Sequence, residues 1–149
     1  MANRNTQGFG LIAQGTVGST MASQGQGKYL IDAGMGVDLF QGTAVRSAAG
    51  YIVTAQAAIT NTCIGVLNGI FYNDASTKKP TFANFYNQPI TPANSEDITA
   101  FVIDNPNQLF VASIDAAAAQ AEYGKTYGLT VTAAGSELSC LLYTSDAAD

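Results

Sequence analysis

The chain has 149 residues, 47% hydrophobic and 11% charged, with 11 acidic residues, 6 basic ones and no histidine. That length suits one domain around a single hydrophobic core. The net charge of −5 argues against a nucleic-acid partner held through its phosphates. The missing histidine rules out Ser-His-Asp and Cys-His catalysis and removes the commonest metal ligand.

An average soluble domain is roughly 25% charged. A surface as sparsely charged as this one is poorly protected against association, which predicts a protein that works assembled, as a homo-oligomer or on a partner. No apolar run approaches the roughly 18–20 residues of a membrane helix, so no membrane partner is expected. Met1-Ala2-Asn3-Arg4-Asn5 lacks the apolar stretch of a signal peptide, which predicts synthesis in the cytoplasm.

Residues 1–27 are rich in Gly, Gln, Ser and Thr, with a lone apolar patch from Phe9 to Ile12. Such a segment buries little area by itself and reads as an extended, flexible N-terminal arm. It is either disordered or ordered against a neighbouring subunit, with Phe9 and Leu11 as the contacting residues. From Lys28 short β-like runs alternate with turns. Lys28–Ile31 and Val37–Phe40 flank Gly34 and Gly36, and Thr43–Val45 leads through Ala48-Ala49-Gly50 into Tyr51–Ala55 as a hairpin. Cys63 to Tyr72 is the most apolar run. Its Asn68-Gly69 pair is either a type I′ turn or a bulge in one long strand. The bulge is the better fit, because a hairpin would leave only a few residues on each side.

Phe82–Tyr86 is a short aromatic run, and residues 87–97 form a loop of turn formers. Ile98–Ile103 is a clean strand, closed by the turn Asp104-Asn105-Pro106-Asn107 and followed by a strand over Leu109–Ala112. Asp115–Glu122 is Ala-rich and predicts one short helix, with Ser113 or Asp115 as N-cap and Gly124 past its end. Lys125–Thr132 returns to strand. The whole reads as mainly β, a small barrel or sandwich with one short helix.

Little here carries chemistry. Asp32 with Asp38, Glu96 with Asp97, or either with Asp104 could form a carboxylate pair, and retaining glycosidases need roughly 5–5.5 Å between theirs. Scattered among turns, these acids read better as solvated turn residues. Asn94-Ser95-Glu96-Asp97 and the turn starting at Asp104 offer oxygen ligands for Ca²⁺ but do not fit the EF-hand pattern. Gly8-Phe9-Gly10 and Gly25-Gln26-Gly27 lack the strand, helix and lysine of a nucleotide loop, and Lys78-Lys79-Pro80 is too small for a nucleic-acid patch. No catalytic, cofactor or metal residue is assigned, and the chain reads as a non-enzyme. Phe71, Tyr72, Phe82, Phe85 and Tyr86 are either a core cluster beneath the long loop or a surface on which Tyr72 or Tyr86 faces a partner.

The last ten residues stand apart. Cys140–Asp149 can be encoded by TGT CTC TTA TAC ACA TCT GAC GCT GCC GAC, which resembles the mosaic end and adapter stem of tagmentation libraries. On that reading residues 140–149 are a sequencing-adapter artefact, and residues 28–139 are a β-rich domain that continues naturally past Ser139. The alternative is a short strand over Leu141–Thr144 with an acidic tail. Setting the ten aside removes Asp146 and Asp149, which leaves 9 acidic against 6 basic residues and a net charge of −3. It also leaves Cys63 as the one cysteine, which excludes a disulfide framework in the visible chain. Cys63 then reads as a small core residue.

Phe40-Gln41-Gly42-Thr43-Ala44-Val45, Gly50-Tyr51-Ile52-Val53-Thr54-Ala55 and Ile64-Gly65-Val66-Leu67-Asn68-Gly69 together resemble tailed-phage virion proteins. In these a Phe-x-Gly-Asp-x-Val strand precedes a glycine turn, an Ile-x-x-Ala strand and an Ile-Gly-Val strand. Thr43 stands where that pattern often has an acidic residue. Met1-Ala2-Asn3 with Phe9-Gly10-Leu11, Phe71-Tyr72-Asn73 through Lys79-Pro80-Thr81-Phe82, and Ala100–Pro106 with Leu109-Phe110 are similar to structural proteins of marine phages. The resemblance covers most of residues 1–128. It implies a capsid decoration or stabilisation protein, with the phage major capsid protein as partner, no cofactor and a place in the virion. The competing expectations are a tail or fibre-base component and a carbohydrate- or host-surface-binding β domain that uses Tyr72 and Tyr86.

Overall fold

A computed structural model describes residues 10–18, 25–55, 62–112, 120–125, 127–131 and 143–147. Strict alternation makes Ile98–Ile103 (β7) the clearest strand, with Ile98, Ala100 and Val102 buried and Thr99, Phe101 and Ile103 turned the other way. Its neighbours are β2 (Gly27–Ile31) on one side and β5 (Gly65–Asn73) on the other. β5 is long enough to pair twice on its far edge, first with β3 (Ala44–Ala48) and then with β6 (Pro80–Ala83), while β4 (Tyr51–Thr54) closes the order beyond β3. All pairs in this six-stranded sheet are antiparallel. The edge strands β2 and β4 come close together without forming a ladder, so the sheet curls around its core. The chain is mainly β, with no closed barrel among the described residues.

The core is built from Ile31, Leu39, Val45, Ile52, Leu67, Ile70, Tyr86, Ile98, Ala100 and Val102. Leu67 and Ile70 are three positions apart in β5, yet both point inward, which an unbroken period of two forbids. A bulge resolves the conflict: Leu67 pairs with Val102 and Gly69 with Phe101, its neighbour, so Asn68 is the extra residue. The bulge reading of Asn68-Gly69 therefore holds. The β3–β4 hairpin also stands where the sequence placed it. Ala48 pairs with Tyr51 across Ala49 (φ 50°) and Gly50 (φ 89°), a type I′ turn whose hand matches the twist of the strands.

Phe40-Gln41-Gly42-Thr43 forms a tight turn closed by the Thr43 N–H on the Phe40 carbonyl (3.0 Å). Thr43 is wholly buried. Its hydroxyl accepts from the Phe40 N–H (3.2 Å), and its carbonyl accepts from the Leu67 N–H (2.9 Å). Where the phage pattern has an acid, this chain thus has a small neutral group that can be buried with its hydrogen bonds made. Gly42 has φ +86° and lies against Gly10, whose Cα would be 3.1 Å from an added Cβ.

Several expectations are corrected. Residues 12–16 are extended, but as β1 (Ile12–Thr16) they pair with β8 (Gln108–Val111) of the same chain, so this part of the expected arm belongs to the body. Val37–Phe40 contributes only a bridge, Leu39 to Tyr86. Cys63 is exposed, in the link leading into β5, with its thiol 3.3 Å from the Gly65 carbonyl. Most of the Asp115–Glu122 helix lies outside the described residues, and its described end, Gln120–Glu122, is a 3-10 turn followed by Gly124 at φ +81°. Within the tail set apart above, β10 (Tyr143–Ala147) pairs with β9 (Tyr127–Val131) as a separate two-stranded sheet.

Replacing Gly42 with Ala forces a side chain into a left-handed conformation, at about 1–2 kcal/mol, and into contact with Gly10. Urea unfolding of Gly42→Ala is expected to show a loss of about 2 kcal/mol or more, whereas Gly15→Ala, where an added Cβ meets nothing within 4 Å, loses far less.

Candidate functional site

The carboxylates accept structural hydrogen bonds, Asp32 within its own turn and Asp38, Asp97 and Asp104 from distant segments. Asp32 accepts from the Gly34 N–H (2.7 Å) and Asp38 from the Gln88 N–H (2.9 Å). Asp97 accepts from the Tyr51 hydroxyl (3.2 Å) and Asp104 from the Tyr29 hydroxyl (2.9 Å). Each of these hydrogen bonds raises the pKa of the phenol that donates it. Asp97 and Asp104 flank the six residues of β7, which at about 3.3 Å per residue sets them roughly 20 Å apart. They form no catalytic pair. Among the described residues no group of three His, Cys, Asp or Glu side chains could hold a metal ion, and no helix is long and apolar enough to cross a membrane.

The four residues expected to contact a partner do not come together as one surface. Phe9 lies outside the described residues. Leu11 packs partly buried against Ala44 and Ala55, tied down by its N–H on the Gly42 carbonyl (3.0 Å). Tyr72 faces inward and packs partly buried on the core. Tyr86 is wholly buried. Its hydroxyl donates to the Met35 carbonyl (2.8 Å), and burial raises its pKa. The partner-facing reading of Tyr86 is therefore replaced by the core reading, because the bridge to Leu39 draws it beneath the loop.

The surface lies instead on the outer side of the sheet. The β5 bulge turns Phe71 outward as it turns Tyr72 in. Phe71 pairs across the ladder with Phe82 of β6, and their ring centroids are 4.8 Å apart. Phe101 of β7 sits opposite Gly69, where no side chain intervenes, and its ring stacks on Phe82 at 6.1 Å. Aromatic pairs of this kind contribute about 0.5–1.5 kcal/mol beyond the area they bury. Phe82 is nonetheless 72% exposed, and Leu30 of β2, 43% exposed, extends the apolar face. Lys28, cross-strand from Phe101, sets a charge at its border. Contiguous exposed apolar surface of this sort marks interaction sites. Residue type alone did not find it: Phe82 was visible as an aromatic, but nothing local showed that Phe71, Phe82 and Phe101 share a face.

The β5–β6 connection that carries Phe82 to Phe71 is organised by Asp74. Its carboxylate accepts from the Thr77 N–H (2.7 Å), the Thr77 hydroxyl (3.1 Å) and the Ser76 N–H (2.9 Å). The Thr77 bonds chiefly hold its pKa below the usual 3.8, with help from Ser76 and the nearby Lys78 charge.

No protein-family model, curated protein or solved structure matches the chain.

Because the folded pKa of Asp74 is depressed, the stability it adds is fully present above the unfolded pKa and is lost as pH falls through the folded one. Asp74→Ala is expected to lower Tm at pH 7, with the gap to wild type closing as the pH drops below about 4. Thermal melts across the acid range measure this.

Proposed function

We propose that this chain is a non-enzymatic structural subunit of a tailed-phage particle, which decorates or stabilises the capsid shell and docks through the Phe71–Phe82–Phe101 face. The observation that carries the reading is Phe82, an aromatic ring held in place on both sides by other rings yet largely open to solvent. A surface of this kind is already ordered, so binding it costs little side-chain entropy. The low charge of the chain supports association over independent solubility. The resemblance of its Phe40–Val45, Gly50–Ala55 and Ile64–Gly69 segments to virion proteins supports the phage shell as the place of assembly and the major capsid protein as the partner. Repetition in a symmetric array would let one modest contact act many times over. The glycan-binding alternative rested on Tyr72 and Tyr86 as surface rings, and the burial of Tyr86 removes half of its basis.

Co-sedimentation of the purified chain with capsid shells of the phage that encodes it tests the proposal. Wild type is expected to pellet with the shells, and Phe82→Asp to bind roughly tenfold or more weakly while still unfolding cooperatively. A wild-type chain that stays in the supernatant would contradict the capsid assignment. Undiminished binding by Phe82→Asp would show that another face docks.

A further inference from the structure

A cleft of about 400 Å³ lies between β1 and the bulged part of β5, and none of the three phenylalanines lines it. Its size falls at the lower end of the roughly 300–1,000 Å³ of small-ligand sites. Leu11, Val66 and Ile103 give it an aliphatic wall, and Gln41, Asn68 and Gln108 bring polar groups to it. No charged and no aromatic side chain lines it among the described residues. Each flanking strand carries an irregularity at this point, between Ala13 and Gly15 in β1 and between Leu67 and Gly69 in β5. Bulges re-aim side chains and concentrate near functional sites.

We infer that this cleft binds a short uncharged peptide segment through its main-chain amides. Gln41 Nε2 donates to Asn68 Oδ1 at 3.0 Å. Whichever way the two carboxamides are turned, the pair keeps one amide nitrogen and one carbonyl oxygen to offer. A peptide group presents the complementary acceptor and donor. Gln108 Nε2 donates to the Gly15 carbonyl (2.7 Å) and the Leu109 carbonyl (3.2 Å), which leaves its Oε1 as an acceptor for a further N–H. A charged ligand would be desolvated here without a counter-charge, so the site selects neutral groups. The aliphatic wall takes a small apolar side chain and gives a sugar ring no aromatic face to stack on. This site shares no residue with the proposed shell-docking face, so either can fail without the other.

The test is a titration of the full ¹⁵N-labelled chain with the tripeptide acetyl-Ala-Thr-Ala-amide, followed by NMR, with maltose in a parallel series. Saturable shifts are expected at the side-chain amides of Gln41 and Asn68 and along the backbone of Leu67–Gly69, with maltose silent. Gln41→Glu, an exposed loop position, and Asn68→Asp are each expected to weaken binding about tenfold. Tyr123→Ser, at an exposed site outside the cleft lining, is expected to change nothing. The inference is overturned if the peptide gives no saturable shift at these groups, if Gln41→Glu binds as wild type does, or if maltose rather than the peptide titrates the cleft.

Discussion

The bulge at Asn68 is the constraint on which the rest of the structure depends. A strand presents alternate residues to opposite faces, and a slip of one position exchanges every side chain beyond it. β5 is the central strand, bonded to β7 along one edge and to β3 and β6 along the other. If Asn68 kept its place in the regular alternation, Leu67 and Ile70 could not both enter the core. With the bulge, Ile70 and Tyr72 turn in and Phe71 turns out, so a single irregularity completes the core and uncovers the ring that Phe82 packs against. The same residue aims its own carboxamide at the cleft beside β1.

The two surfaces differ in how they are held. The phenylalanine face is rigid because cross-strand pairing sets Phe71 against Phe82 and the missing side chain at Gly69 lets Phe101 lean toward them. The cleft depends on contacts between segments far apart in the chain. Leu11 is drawn to Gly42 by a backbone hydrogen bond, and Gly42 in turn donates to the Leu67 carbonyl (2.9 Å). The close approach of Gly10 and Gly42 explains why the turn Phe40–Thr43 needs glycine at its third position. That turn therefore couples β1 to the bulged strand.

What was legible in the sequence was local. Ile98–Ile103 alternates strictly, Ala49-Gly50 sits between two short β-like runs, and Asn68-Gly69 has too little strand on either side for a hairpin. What was not legible depended on long-range pairing. Tyr72 and Tyr86 were singled out because tyrosine favours interfaces, but the bulge sets which face Tyr72 takes, and the bridge to Leu39 buries Tyr86. The Gly- and Gln-rich stretch around β1 reads as a loose arm because its partner, β8, lies more than ninety residues further along the chain, as the Thr16–Gln108 pair (108 − 16 = 92) shows. Cys63 looked like core on its apolar neighbours, yet the strand begins only at Gly65. Faces could not be assigned until register was known.

A pair of single-residue deletions probes this phase argument most directly. Val102 and Phe101 are adjacent in β7 and already pair with Leu67 and Gly69, so removing Asn68 should simply regularise the ladder and leave every core residue facing inward. Removing Phe71 instead should invert Tyr72 and all that follows in the strand. If the bulge sets the phase, thermal unfolding of the chain lacking Asn68 stays cooperative with a Tm near wild type, and the chain lacking Phe71 loses its transition. Equal tolerance of both deletions, or loss of the transition in the chain lacking Asn68 alone, would contradict it.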